Sequence, residues 1–258
     1  MRLAGMILGA GLGSRMGHLT ADTPKPLLEF SGQPLLGHLL GRLGEAGVSE
    51  IHINLHYQAD RMRDFLATCP TPVPVYPRRE PRLTGPAGAL RLFADELRRF
   101  DTVLVASADV LVGESLHRLV ATHTERPTAL TFACAQVRKA RRYGVLDIGP
   151  DDEVRAAVEK PDVPDDETHW VSAGAYCLDP QVIEGIPPDR VYDYAKDLAP
   201  ALTEAGKRVR AHRLSGYWRD VGTPQDLAAA RQDAARGLIP WLLPDRTPEH
   251  PPVERGLA

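Results

Sequence analysis

The chain has 258 residues, a net charge of −3 and a charged fraction of 25%. That balance excludes the strong basic field that a nucleic acid or an anionic membrane surface would require, and no apolar run reaches the roughly 18 residues of a membrane span. Cys69, Cys134 and Cys177 are widely spaced with no C-x-x-C pair, which argues against a disulfide framework or a cysteine zinc site and suits a reducing, cytoplasmic setting.

Taken in order, the first element is a short apolar strand, Leu3 to Leu8, of the kind buried in parallel sheets. A glycine-rich loop follows. Pro34 to Ala46 then carries Leu35, Leu36, Leu39, Leu40 and Leu43 at helical spacing, with Pro34 suited to its start and Gly47 to its end. Glu50 to Leu55 reads as a strand, Gln58 to Ala67 as a helix and Val73 to Tyr76 as a short strand. A second glycine loop, Leu83 to Leu90, is expected to run into one helix ending near Arg99. Thr102 to Ala106 is another apolar strand, with Asp109 just beyond it, and a helix spans about Glu114 to His123. Strand–helix alternation implies parallel pairing with right-handed crossovers, and ligands in such sheets lie beyond the carboxyl ends of the strands.

The second half changes texture. Thr128 to Gln136, Tyr143 to Ile148, Val154 to Glu159 and Trp170 to Leu178 read as strands with few helices between them, so antiparallel pairing is expected there. Ala195 to Ala205 is a helix, Arg208 to Leu214 a strand and Pro224 to Arg236 a closing helix. One domain over 1–238 is expected, divided into halves at 1–125 and 126–238. Residues 239–258 are rich in proline and charge and read as a loosely ordered tail. His52 and His56 are assigned structural roles, Trp170 and Trp241 packing roles, and the basic run Arg138 to Arg142 a solvated loop, with attraction of an anionic substrate as the lesser reading.

Gly9 to Leu28, GAGLGSRMGHLTADTPKPLL, holds four glycines, Arg15, and Lys25 between two prolines. Glycines let backbone N–H groups approach a ligand, so a strand, a glycine turn and cations together read as a polyphosphate cradle. Two common patterns fail here. The dinucleotide fingerprint needs a third glycine where Ser14 stands, and the P-loop needs a Lys-Ser/Thr pair directly after its last glycine. Arg2 followed by the apolar stretch Leu3 to Leu12 lacks the small-x-small cleavage site of a secretory leader.

The same stretch resembles the signature of the sugar-1-phosphate nucleotidyltransferases, G-x-G-x-R followed by P-K-P-L. The resemblance runs over about residues 3 to 235. It implies a Rossmann-like three-layer αβα nucleotidyltransferase fold: an α/β chain with a mixed, mostly parallel sheet and antiparallel strands added in the second half. Gly9, Ala10, Gly11, Gly13, Ser14 and Arg15 are implied to bind the nucleotide, with Arg15 and Lys25 catalytic. Gly9 departs from the usual alanine, a change expected to be harmless in a loop. Asp109, and Asp220 in Trp218-Arg219-Asp220-Val221-Gly222-Thr223, are implied to hold Mg²⁺. Gly144, Glu159 and Lys160 of the Glu-Lys-Pro motif, Ser172 and Gly174 are implied to line the acceptor pocket. Ser172 stands where the family commonly has asparagine. Asp193 and Asp197 fall where relatives have an acidic segment and are not carried as site residues. The Gly-x-Ala-Gly of Gly85 to Gly88 is most similar to mannose- and heptose-phosphate guanylyltransferases, which favours GTP, with Gly85 and Gly88 as backbone contacts and Glu80 as a partner for the base.

The implied reaction joins a nucleoside triphosphate and a sugar 1-phosphate and releases pyrophosphate. The attacking phosphate has a second pKa near ~6 and needs no general base, which agrees with the lack of a Ser/His/Asp signature. Alignment of two bound reactants can supply roughly 7–11 kcal/mol, and joining two anions calls for cations. Three alternatives stand beside this reading: transfer to a cyclitol or choline phosphate, which Ser172 keeps open; a non-catalytic nucleotide-sensing paralogue, which would tend to lose the lysine or aspartates present here; and a dehydrogenase, against which the failed dinucleotide spacing counts. A homo-oligomer is compatible with the reading and not specified by it.

Overall fold

Alternation along β1 (Leu3–Leu8) sends Leu3 and Ile7 to one side of a sheet and Ala4 and Met6 to the other, all of them buried. β1 pairs in parallel with β4 (Glu50–Leu55) and β6 (Thr102–Ser107), and β4 with β5 (Val75–Arg79). The structure, a computed structural model, describes residues 1–188 and 190–242. Between these strands lie a two-strand hairpin of β2 (Glu29–Phe30) and β3 (Gln33–Pro34), and the helices α1 (Leu35–Glu45) and α2 (Ala59–Thr68).

The helix expected to run from the Gly85 loop to Arg99 is instead broken. α3 (Gly85–Gly88) passes into a 3-10 turn, Ala89–Phe93, and then into α4 (Ala94–Leu97). Phe93 leaves helical geometry at φ −122°, ψ 22°, its ring fully buried against His52 and beneath Arg78. No glycine or proline marks that break, so tertiary packing overrides local propensity.

β7 (Val110–Val112) and α5 (Leu116–Thr124) close the first half. The second half supplies β8 (Leu130–Val137), β9 (Gly144–Ile148), β10 (Val154–Glu159) and the ten-residue β11 (His169–Leu178), then α6 (Ala199–Glu204), β12 (Val209–Arg213), β13 (Trp218–Asp220) and α7 (Pro224–Ala235). The large sheet runs β10-β9-β11-β6-β1-β4-β5, with β8 on β11 and β12 on β8. β11 is antiparallel to β6, β8 and β9, as the second half's texture implies. Helices cover both faces, giving the three-layer α/β arrangement expected.

A third apolar cluster joins Met16, Phe30, Leu35 and Leu111 of the first half to Val221, Leu227 and Ile239. Residues 239–242 therefore belong to the packed body rather than to a loose tail: Ile239 is fully buried, and the Trp241 indole N–H donates to the Val112 carbonyl at 2.9 Å. The rest of the expected tail, 243–258, lies outside the described residues.

Candidate functional site

Two pairings that the sequence did not announce build the centre of the site. β13 pairs antiparallel with β7, Asp220 opposite Val110, and the Val221 N–H donates to the Asp109 carbonyl at 2.8 Å. Two carboxylates separated by 111 positions in sequence thus flank one point just beyond β6. Lys25, on a 3-10 turn set by its neighbouring prolines, is buried and reaches Asp109 Oδ2 at 2.7 Å. Burial first, and the like charge of Asp109 second, raise the Asp220 carboxyl above its ordinary range, while Lys25, Arg142 and Arg15 pull it back down. Exposed Arg15 comes close on the far side. A Cβ on Gly222 would lie 3.1 Å from Asp220 Oδ2 and 3.2 Å from an Arg15 guanidinium nitrogen. Arg15, Lys25, Asp109 and Asp220 are therefore brought together.

The Gly9 loop is open at its middle. Gly11 has nothing within 4 Å of a hypothetical Cβ, and Ser14 is exposed. Gly13 sits at φ +64° with Thr20 and Lys25 beneath it. Gly9 differs from the harmless loop position expected. A Cβ there would press to 3.0 Å from the Asn54 carbonyl and Ile53, because Gly9 still lies against β4. Ala10 is buried beside it.

The Gly85 turn departs from expectation. Gly85 (φ +83°) faces protein: a Cβ would fall 2.7 Å from the Tyr192 carbonyl. The N–H groups of Ala87 and Gly88 both donate to that same carbonyl, at 3.0 and 3.1 Å, so the Gly88 amide is already engaged. Glu80, read as a partner for the base, is 3% exposed. Its carboxylate already accepts from the Asn54 side chain at 2.7 Å and from the Thr84 N–H and hydroxyl at 2.7 and 2.6 Å. Both oxygens are already engaged within the protein.

Among the residues expected to line the acceptor pocket, a register shift in β11 between Ser172 and Tyr176 places Gly174 at φ +74°, where a Cβ would meet Val110 at 2.9 Å. Gly174 thus lets β11 pass close behind the strand that follows Asp109. A Cβ on Gly144 would be 3.1 Å from Glu159 Oε2 and 3.8 Å from the Ser172 Cβ, so these three converge. Lys160 (φ +48°) is exposed and pairs with Glu159 at 2.8 Å. The Ser172 hydroxyl is bonded to the Tyr176 phenol at 3.0 Å, whose pKa burial pushes up. Tyr176 stacks on Tyr194 at 3.8 Å, within the π-helical turn Tyr194–Leu198 that Asp193 caps.

Sequence reasoning missed Arg142. The basic run is in part the solvated loop expected, Arg141 pairing with Asp162 and Asp165. Arg142 instead turns inward, over the Tyr143 ring, with its guanidinium on Asp226 at 3.3 Å and 3.8 Å from Asp220. Burial works against the Asp226 charge, yet hydrogen bonds from Thr223 and Arg142 hold its pKa below the usual range. A cavity of about 450 Å³ opens here, with Tyr143, Trp170, Trp218, Arg142 and Asp220 in its wall. His52 and His56 are structural, bonded to Glu50 and to the Glu80 carbonyl.

Among the described residues no group of three or more His, Cys, Asp or Glu side chains could hold a metal ion, and no helix is long and apolar enough to cross a membrane. The family profile described as "Nucleotidyl transferase" matches residues 4–237. A mannose-1-phosphate guanylyltransferase of Mycobacterium tuberculosis is 31% identical over 237 residues, covering 91% of this chain and 65% of that protein. A mannose-1-phosphate guanyltransferase of Eremothecium gossypii is 32% identical over 232 residues, covering 88% and 63%. The chain thus spans less than two thirds of the length of these curated relatives. The crystal structure of HddC from Yersinia pseudotuberculosis complexed with GMP-PN superposes with a TM-score of 0.74 at 27% identity, covering 90% of this chain and 99% of that one. A putative glucose-1-phosphate thymidylyltransferase from Bacillus anthracis, in complex with a sucrose, shares the fold at a TM-score of 0.79 and 24% identity, covering 89% and 94%. With a profile match over most of its length and both aspartates, the lysine and the glycine loop assembled at one sheet edge, the chain belongs to the nucleotidyl transferase family.

Proposed function

We propose that the protein joins a nucleoside triphosphate, GTP in preference, to a sugar 1-phosphate and releases pyrophosphate. The convergence of Lys25, Arg15, Asp109 and Asp220 beyond the carboxyl ends of β1 and β6 carries this reading. The open Gly11–Arg15 segment binds the triphosphate through backbone N–H groups and the Arg15 guanidinium. Lys25, held by Asp109, stands beside the α-phosphate and stabilises the charge that builds there as the acceptor phosphate attacks in line. Lys160 grips the acceptor phosphate with Glu159 beside it, while Gly144 is kept small by the Ala195 side chain, 2.9 Å from where a Cβ would be. The guanylyltransferase names of the relatives and the GMP-PN of the HddC complex support a guanine base.

Asp109 and Asp220 fit a magnesium ion. They are hard oxygen donors close enough for one charge to raise the pKa of the other, and two carboxylates leave the remaining positions to water and phosphate oxygens, as Mg²⁺ prefers. When bound, the ion would neutralise phosphate charge and help to align the triphosphate. The site lies in a chain for which a cytoplasmic setting is proposed.

The test is a matrix of nucleoside triphosphates against sugar, cyclitol and choline phosphates, with pyrophosphate release as readout. The wider panel is warranted because the Ser172 hydroxyl is already bonded to Tyr176 and offers the acceptor less than a free amide would. We expect GTP with a sugar 1-phosphate to give the highest kcat/KM, and Asp109→Asn to reduce it by about 10³-fold or more with the fold intact. Unchanged turnover in Asp109→Asn would remove the metal assignment, and preference for a cyclitol or choline phosphate would replace the acceptor.

A further inference from the structure

Four hydrogen bonds run without a gap from the first glycine loop to the second. The Gly9 N–H donates to Asn54 Oδ1 at 2.9 Å, and Asn54 Nδ2 donates to Glu80 Oε2 at 2.7 Å. Glu80 Oε1 then accepts from the Thr84 N–H at 2.7 Å and from its hydroxyl at 2.6 Å. The chain of bonds crosses the ends of β1, β4 and β5 and stops at the residue before Gly85. Asn54 is 4% exposed and Glu80 3%. The Glu80 backbone is fixed as well, its N–H donating to the Leu55 carbonyl and its carbonyl meeting His56 Nδ1, both at 2.7 Å. Among the described residues no cation pairs with this carboxylate, so three protein donors replace the water it has lost.

The relay has only one possible polarity. A backbone N–H can only donate, so Gly9 requires the oxygen of Asn54, and Asn54 must turn its NH₂ toward position 80. Thr84 presents an N–H donor from the other side. The group at 80 must therefore accept at both ends, which a carboxylate does and an amide cannot. This explains why a carboxylate is buried here with no cation paired to it among the described residues.

We infer that Asn54 and Glu80 are positioning residues. They set the spacing between the Gly9–Gly13 loop and the Thr84–Gly88 turn, and through that spacing the affinity for the donor and the choice of base. Neither touches the reacting atoms. The inference rests on the donor reading above, in which the first loop holds the triphosphate, and adds to it that the second turn borders the base.

Because the polarity is fixed, the relay can be broken and rebuilt. Glu80→Gln opposes two NH₂ groups. Asn54→Asp opposes two carboxylates. The double variant N54D/E80Q restores all four bonds: the new carboxylate at 54 accepts from Gly9 and from the new amide at 80, whose oxygen still accepts from Thr84. Kinetics with GTP should show the KM for GTP rising about tenfold in each single variant, the size of one charge-assisted hydrogen bond. The kcat at saturating GTP and the KM for the acceptor should stay within about twofold, and the preference for GTP over other triphosphates should fall. The double variant should recover most of the loss. A purely structural network would lower Tm without this split between KM and kcat. An unchanged KM for GTP in both single variants, or a double variant no better than the worse single, overturns the inference.

Amide hydrogen exchange in nucleotide-free protein separates this failure from that of the donor reading. Exchange at 9–13 and 84–88 should speed up in the single variants and slow again in the double, and no change there overturns the relay whatever the substrate. A wild-type protein that neither binds GTP nor releases pyrophosphate overturns the donor reading instead, and with it the assigned effect on affinity. Thr84→Val, which removes only the hydroxyl bond, gives the same readouts at smaller size if a single variant does not fold.

Discussion

The two glycine loops look alike in sequence and behave oppositely in the structure. Around Gly11 there is open space, with no atom within 4 Å of where a Cβ would be. Around Gly85 there is none, because the Tyr192 backbone already occupies it at 2.7 to 2.9 Å and takes the next two amides as acceptor. On the proposed donor reading, one loop is glycine-rich so that a substrate can approach. The other is glycine-rich so that the second half of the chain can. A glycine pattern alone therefore signals close approach and leaves open what approaches.

Alanine at each position separates these two meanings, and this is the largest effect we expect. Gly85→Ala combines a left-handed backbone with a clash against main chain that no rotamer change can relieve, and should cost about 2–4 kcal/mol. Gly11→Ala meets neither obstacle and should change stability by no more than about 0.5 kcal/mol, while weakening GTP binding because the new methyl occupies the approach. Denaturant melts and GTP titration of both variants measure this. A stable Gly85→Ala protein with lost GTP affinity would reverse the assignment of the two loops.

The same distinction explains what the sequence could and could not disclose. Buried strands were legible because Leu3–Leu8 and Thr102–Ser107 are continuous apolar runs. The convergence of Arg15, Lys25, Asp109 and Asp220 was legible because each lies in a local motif. Three-residue β7 and β13 were not, since each exists only as the other's partner. Arg142 was hidden in a basic run whose neighbour Arg141 pairs on the surface, and what holds it toward the site is Asp226, 84 positions away. Glu80 was read as a partner for the base, whereas its carboxylate is engaged by Asn54 and Thr84. Its partner Asn54 lies in a strand whose pattern gives no hint that a side chain at its end turns toward a second loop.

Groups proposed to face substrate should detract from stability, and groups that face protein should supply it. Asp220 tests the first half of that statement. Burial and the charge of Asp109 raise its pKa in the folded protein. A carboxyl with a raised folded pKa binds more protons in the native state than in the unfolded one, between the two values. Stability therefore falls as pH rises through that window, and at neutral pH the full penalty is present. In chelator, Asp220→Asn should stabilise the protein at pH 7, within the roughly 0.5–2 kcal/mol typical of replacing a strained functional group, and should lessen the fall in stability above the ordinary carboxylate range. Turnover should be lost in the same variant. A destabilised Asp220→Asn protein would mean that Lys25, Arg15 and Arg142 together outweigh burial, and that the charge is structural.

Thr20 tests the second half, at the smallest scale. It is buried beneath the open loop, and its hydroxyl donates to the Gly13 carbonyl at 3.0 Å, with the Gly17 carbonyl at 3.3 Å. Its own carbonyl accepts from the Tyr57 hydroxyl at 3.0 Å. The loop is thus open above and shaped from below. Thr20→Val keeps the volume and removes only the hydroxyl, and the Gly13 carbonyl keeps the Met16 N–H as a partner at 2.8 Å. The loss should be about 1 kcal/mol, or roughly 2–4 °C in Tm for a domain of this size. The KM for GTP should rise only a few-fold, because the amides above Gly13 relax rather than disappear. A larger rise in KM with no change in Tm would mean that the hydroxyl reaches the triphosphate, and that the floor of the loop, like its rim, faces substrate.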